Sequence, residues 1–390
     1  MNRGERLVVV GGGPAGLATA RAYRDAGGLA RVTILSTEPY PPYNRPPLTK
    51  DFLRGESGRD DLPIEAEGWY RKNDVELRLS TVVESLDRER ALVETDTGEQ
   101  FHYDACVLAT GSEPVRIPVP GADDPEILVM RTVENSARLR ARVGKGDRAV
   151  VVGSGFIGCE VAASLALRGA GVTLVSLEEL PQEERLGEEV GGRIRGWLED
   201  YGVDLRLGTA LEGIERRDGG YSAATEDGAD IFAGTVLFGT GVEPRLGLAE
   251  AAGLEVDGGV VADSSMRTSA PGVFAVGDIV SAFNESAGRH VSVEHWGDAL
   301  EHGRIAGTVI AGGDAAWSMA PGFWSTIGDK TLKYWAWDGG WDEHAFEDRG
   351  GSFVVRYGRD GVLVGILTHG ADEDYENART PIERGDPFPG

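Results

Sequence analysis

Only two cysteines, Cys106 and Cys159, occur in 390 residues, with neither a C-x-x-C pair nor a metal-ligand spacing. Cys106 lies in the apolar run Ala105–Leu108 and Cys159 at the start of a helix, so both are expected in the core. No apolar run approaches the ~20 residues of a membrane span. The charged start, Met1–Arg6, leads straight into a strand with no apolar leader, so the expectation is a cytoplasmic protein. Positive charge is scarce. The chain has five lysines, and 39 Lys and Arg stand against 64 Asp and Glu, a net charge of −25. That balance argues against nucleic acid and anionic membranes as partners.

Glycine is abundant: 57 residues, dispersed as an α/β protein with many tight turns requires. Two clusters stand out. Leu7–Val10 runs into Gly11-Gly12-Gly13-Pro14-Ala15-Gly16, and Val150–Val152 runs into Gly153-Ser154-Gly155-Phe156-Ile157-Gly158, 142 residues later. Each has G-x-G-x-x-G spacing after an apolar run and before a helical pattern. The first glycine makes the turn, the second lets a pyrophosphate approach the backbone, and the third lets helix and strand pack. One copy is a weak signal, but two predict two dinucleotide sites.

The repeat extends further. The first βαβ unit is completed by a strand at Arg31–Ser36, with Glu38 just beyond it, where an acid would take ribose hydroxyls. The second is completed by Gly171–Val175. Each half then has a β-meander and a closing strand that ends in Thr-Gly: Ala109-Thr110-Gly111 and Gly239-Thr240-Gly241. Between them lie a helix at Val133–Val143 and another at Gly187–Tyr201. The Pro-rich stretch Tyr40–Pro47 is stiff and irregular, carries Arg45 and runs into Lys50, so it has the look of a site. A strand at Val273–Val276 ends in Gly277-Asp278. Glu294-His295-Trp296 precedes a helix at Asp298–Ile310. Beyond Ala315 a separate α+β unit carries Trp317, Trp324, Trp335, Trp337 and Trp341, read as its core or an interface. The polar tail after Gly370 is expected to fray beyond one short helix.

This order of motifs resembles the flavoproteins with two dinucleotide-binding domains, and within them the ferredoxin and rubredoxin reductase branch that includes apoptosis-inducing factor. The most specific match is Tyr43-Asn44-Arg45-Pro46-Pro47-Leu48-Thr49-Lys50, close to that branch's Y-x-R-P-P-L-S-K. The resemblance implies an α/β fold of two Rossmann-like domains plus a C-terminal α+β domain. The FAD domain would be discontinuous, 1–115 with 248–315, around an NAD(P) domain at 116–247; 316–390 would form the interface domain. FAD would contact Gly11, Gly13, Pro14, Ala15, Gly16, Glu38, Arg45, Lys50, Val82, Ala109, Thr110, Gly111, Gly277, Asp278, Glu294, His295, Trp296 and Trp324. Val82 would meet adenine through its backbone and Trp324 would lie over the flavin. NADH, with NADPH possible, would lie on Gly153, Gly155, Phe156, Ile157, Gly158, Glu160, Glu178 and Gly241. Lys50 and Glu160 would form the catalytic pair beside the flavin. Related branches carry redox cysteines near positions 40–50; this chain has none there.

The implied activity is hydride transfer from NADH to FAD, then electron delivery to a small acidic iron–sulfur protein, a ferredoxin or rubredoxin, by a monomer or homodimer. An NADH oxidase or diaphorase, or a flavin-bound redox-responsive interaction protein, are the alternatives. Two departures bear on this. Ser176 replaces the usual acid after the second strand of the NAD unit, with Glu178 and Glu179 just beyond, and no Arg lies between Val172 and Gln182 to receive a 2′-phosphate. Thr326-Ile327 replaces Asp-Gln after Trp324-Ser325. For docking an acidic carrier the candidate cations are Arg45, Arg54, Arg59, Lys330 and Lys333.

Overall fold

The computed structural model describes residues 5–337 and 339–389. Three five-stranded sheets carry the chain. In the first, strands run in the order Val273–Ala275, Ala105–Leu108, Arg6–Val10, Arg31–Leu35, Val75–Arg78, all parallel. In the second the order is Asp204–Arg206, Gly171–Val175, Arg148–Val152, Thr235–Phe238, Leu128–Val129, again all parallel. Such sheets are covered on both faces, so their strands read as near-continuous apolar runs. Leu7, Val9, Val107, Val150 and Leu237 are fully buried accordingly. The repeat legible in the sequence is a structural repeat. Each parallel sheet has its three-stranded meander, at residues 83–102 and 211–233.

The third sheet is antiparallel, with strand order Gly322–Ile327, Lys330–Ala336, Val362–His369, Phe353–Arg359, Glu343–Asp348. The C-terminal helix, Asp372–Arg384, packs on it through Ala378 and Ile382, with Ile382 1% exposed. Two apolar residues at i, i+4 spacing suffice to seat an otherwise polar helix. Beyond the expected helix the tail is also held rather than frayed: Leu363 N donates to Asp386 O and Phe388 N to Gly361 O, each at 2.9 Å. The tryptophans do not form one cluster either. Trp317 is fully buried in the core of the first sheet, whereas Trp324 is 45% exposed and Trp335 stacks on Tyr375.

Two helices define the geometry next to the first glycine loop. Pro14–Asp25 and Trp296–Ile310 cross at the closest range glycine permits. A Cβ at Gly303 would lie 2.3 Å from the Ala15 carbonyl oxygen, and one at Gly307 2.3 Å from that of Thr19. Among the described residues no helix is long and apolar enough to cross a membrane.

Candidate active site in the cleft between the glycine loops

The two loops are built alike. Gly11 has φ +125° and Gly153 φ +102°, values that side chains rarely tolerate. A Cβ on Gly11 would strike the Ala109 carbonyl oxygen at 2.1 Å, and one on Gly153 that of Gly239 at 2.5 Å. In each half the first glycine thus lies against the residue before Thr-Gly at the closing strand's end. The third glycines serve packing: a Cβ on Gly16 or Gly158 would meet the Gly11 or Gly153 carbonyl oxygen at 2.2 or 2.0 Å. Gly13 has open space around it. The loop keeps room for a ligand where its backbone faces outward and has none where it faces inward.

A single cleft of about 1530 Å³ runs between these loops and the third sheet. It brings together nearly every residue anticipated from the sequence. Gly11, Gly13, Pro14, Ala15, Glu38, Arg45 and Lys50 line it with Ala109, Thr110, Gly111, Gly277 and Asp278. So do Glu294, His295, Trp296 and Trp324, and Gly155, Phe156, Ile157, Glu160, Glu178 and Gly241. Gly16, Gly153 and Gly158 do not line it, being turned to packing. Val82 does not line it either, although its neighbours Thr81 and Val83 do. Its side chain is 42% exposed and its carbonyl accepts from Asp96 N.

Lys50 follows the short Pro46–Thr49 turn, which is pinned from both sides. The Ser136 hydroxyl donates to Leu48 O at 2.6 Å and the Ser164 hydroxyl to Thr49 O at 2.7 Å. Lys50 Nζ donates to Glu160 Oε2 at 2.6 Å, and the two side chains are 13% and 4% exposed. Glu160, on the Phe156–Leu167 helix, is saturated. Its Oε2 also accepts from the Thr49 hydroxyl at 2.5 Å, and its Oε1 from the Ser325 hydroxyl at 2.7 Å and Thr326 N at 3.1 Å. Three parts of the chain far apart in sequence meet on one carboxylate. A buried charge so paired and so hydrogen-bonded is fixed in place, and removing one partner typically costs 3–5 kcal/mol.

A second group of charges lies across the cleft. Asp278 Oδ2 accepts from Arg131 at 2.6 Å and from the Ser112 hydroxyl at 2.7 Å, leaving Oδ1 with no hydrogen bond among the described residues. Arg45 pairs with Glu38 at 2.6 Å and donates to Arg131 O at 2.8 Å, while Tyr43 also donates to Glu38. Burial pushes the Tyr43 phenol up and, with Asp278 beside it, raises the Glu294 carboxyl above its ordinary range. Arg131, Ser112, Thr49 and Ser325 were not anticipated from the sequence. Arg131 and Ser112 carry no motif; Thr49 lies inside the Tyr43–Lys50 motif and Ser325 beside Trp324, but only the long-range fold gives them their partner Glu160.

At the second loop a carboxylate stands two residues beyond Ser176. Ser176, at the end of its strand, has its hydroxyl 2.6 Å from that of Ser154. Ser154 donates to Glu178 Oε2 at 2.7 Å, and Gln182 N donates to the same oxygen at 3.2 Å. Glu178 is thus folded back toward the strand end, into the cleft wall. Both cysteines are sealed in the core, where burial pushes the Cys106 thiol to about 12 and the Cys159 thiol higher still.

The docking cations expected from sequence are not a patch. Arg45 is inside the cleft. Arg54 pairs with Asp51 and Glu56, Arg59 donates to Tyr40, Lys330 pairs with Asp329 at 3.1 Å and Lys333 with Asp372 at 2.7 Å.

Comparison with known proteins agrees with this architecture. The chain is 33% identical over 384 residues to the anthranilate 1,2-dioxygenase system ferredoxin–NAD(+) reductase component of Burkholderia cepacia, covering 97% of this chain and 94% of that one. It is 33% identical to the rubredoxin–NAD(+) reductase of Pseudomonas putida, over 84% of this chain and 85% of that one. The reductase of the covalent putidaredoxin reductase–putidaredoxin complex superposes with a TM-score of 0.94 at 29% identity, over 99% of this chain and 94% of that one. A model of the pyridine nucleotide-disulphide oxidoreductases matches residues 5–303, and the chain belongs to that family.

Proposed function

We propose that this chain takes hydride from NADH onto FAD and passes single electrons to a small iron–sulfur protein, as a ferredoxin–NAD(+) or rubredoxin–NAD(+) reductase. The observation that carries this reading is the single cleft joining two glycine loops around the Lys50–Glu160 pair. The residues present fit the two dinucleotides: open space at Gly13, a cleft-lining Asp278 with one oxygen that has no hydrogen bond among the described residues, and a cleft of about 1530 Å³. The family's disulfide chemistry has no counterpart here, because both thiols are buried away from the cleft and held protonated.

FAD would be held by the first loop, Glu38, Asp278, the Thr110-Gly111 turn and the helix after His295, and NADH by the second loop and Glu178. The flavin supplies conversion between a two-electron donor and one-electron acceptors. The protein's part is charge and geometry. Lys50, fixed by Glu160, Thr49 and Pro46 O, supplies a rigid cation. Glu38 and Arg45 neutralise one another beside the first loop. The first-turn N–H groups of the helix from Trp296 face the cleft and favour negative charge there. We assign residues 1–115 and 248–315 to the FAD-binding unit, 116–247 to the NAD-binding unit and 316–390 to the interface unit.

The test is direct. Purified protein should retain FAD, be bleached anaerobically by NADH, and then reduce a ferredoxin or rubredoxin. Protein that takes up no FAD on reconstitution would end this reading. Protein that is bleached by NADH but reduces only small-molecule acceptors would replace it with a diaphorase.

A further inference from the structure

His295 is the N-cap of the Trp296–Ile310 helix, and it does not cap with its side chain. Its ring lies in the cleft wall, 4.9 Å from the Phe323 ring, and Nδ1 is 3.2 Å from Asp298 Oδ2. Asp298 is 2% exposed. It also accepts from Gly322 N at 3.3 Å, and its other oxygen has no partner among the described residues. A carboxylate this deep is costly to leave ionised without a cation at hand. Among the described residues no Lys or Arg pairs with it; the neighbour at salt-bridge range is the His295 imidazole.

We propose that the His295–Asp298 pair is a redox-linked proton site, binding a proton when the cofactor in the cleft is reduced and releasing it when electrons leave. This rests on the reading of the cleft as a flavin site. Hydride brings two electrons and one proton to a neutral cofactor, so the cleft gains one negative charge. An imidazole in its wall, already facing a buried carboxylate, gains a proton from solvent in response, held between the imidazole and the carboxylate. Two one-electron acceptors later remove both electrons. The proton that came with hydride and the one held by the pair then return to solvent.

Other groups facing the pair set the field but do not replace it. Glu294 and Asp278 are negative neighbours, and Asp278 is already bound to Arg131. Arg185 acts on Glu294 from across the cleft. Tyr334 and Phe323 come from the third sheet, and Tyr375, whose phenol senses Asp298, from the C-terminal helix. One turn along the helix from Asp298, His302 is fully buried; burial lowers its pKa against the pull of Asp298, Glu301 and Asp278, and neither ring nitrogen has a hydrogen-bond partner among the described residues.

The test is the equilibrium reduction potential of the flavin-loaded protein against pH from 5.5 to 8.5, where imidazoles titrate. The slope counts protons bound per two electrons, each worth a tenfold change in the equilibrium constant per pH unit. Wild type should show two protons over part of this range. His295→Gln and Asp298→Asn, each still flavin-loaded, should show one throughout. In parallel, ring-labelled histidine NMR should show the His295 ring gaining a proton at pH 7 on anaerobic reduction with dithionite. A slope of one proton throughout in wild type, or a second proton that persists in His295→Gln, overturns the proposal. Failure to bind flavin would instead refute the reading of the cleft.

Discussion

At the scale of single residues the cleft is organised by carboxylates held from several directions. Glu160 is the clearest case, with four donors on two oxygens. Lys50→Met should leave FAD bound yet slow its reduction by NADH. One charge-assisted interaction is worth ~1.5–3 kcal/mol, about tenfold to a hundredfold in rate. Stopped-flow reduction at an unchanged rate, with an unchanged flavin potential, would remove Lys50 from the site. We propose that Glu178 selects between the nicotinamide cofactors. Its carboxylate, steadied by Ser154 and Gln182 N, is placed to accept from ribose hydroxyls and to repel a 2′-phosphate. NADH should be preferred, and Glu178→Gln should cut the ratio of kcat/KM for NADH over NADPH by about tenfold, one 1.4 kcal/mol step. Titration with ADP-ribose and its 2′-phosphate should show the same shift in Kd. A wild-type preference for NADPH would refute the assignment. Lys50, Glu160 and Glu178 were legible in the sequence because motifs or strand ends carry them. The anchoring roles of Thr49, Ser325 and Ser154 were not, even where a motif contains them, because a hydroxyl's role is undetermined until the fold gives it a partner.

At the scale of elements the crossing of the Pro14–Asp25 and Trp296–Ile310 helices matters most. It sets the first loop and the His295 end of the second helix against one cleft. The crossing depends on two glycines with no room for a methyl. Gly307→Val should force the helices apart, destabilise the protein by about 1–3 kcal/mol and weaken FAD retention. Denaturation followed by intrinsic and flavin fluorescence measures both effects, and unchanged values would show that the crossing is not needed for the site. The glycine loops and their strands could be read from sequence because a strand, a turn and a helix succeed one another within about 20 residues and each has its own period. The crossing could not, since the glycines that permit it lie about 290 residues from the helix they meet. The tryptophans show the same limit. Five close in sequence share no single core: Trp335 and Trp337 pack on the C-terminal cluster, alternating strand positions send Trp324 outward, and a connecting segment carries Trp317 back to the first sheet. In the tail the short helix forms as expected, and the residues after it, where polarity suggested fraying, pair with Gly361 and Leu363.

At the scale of the whole molecule, charge governs the approach of the electron acceptor. A net charge of −25 repels an acidic carrier unless a local patch reverses the field. Lys330 and Lys333 do not make one, since each pairs with its own aspartate, and Arg54 is held between two acids. Such pairs look nearly neutral beyond a Debye length, about 10 Å at 0.1 M salt. Arg359 and Arg384 form no ion pair among the described residues. They are exposed beside a pocket of about 280 Å³ that shares Trp337 and Gly340 with the main cleft. Residual steering would then fall on unpaired arginines such as these rather than on the lysines. Reduction of an acidic ferredoxin should change less than about threefold between low and physiological salt, within one Debye length of screening. Lys330→Glu with Lys333→Glu should leave it nearly unchanged, and Arg359→Glu with Arg384→Glu should slow it more. Stopped-flow ferredoxin reduction over a salt series measures all three. A fast reaction that falls steeply with salt and collapses in the lysine double variant would mean that binding breaks the aspartate pairs and frees those lysines to steer.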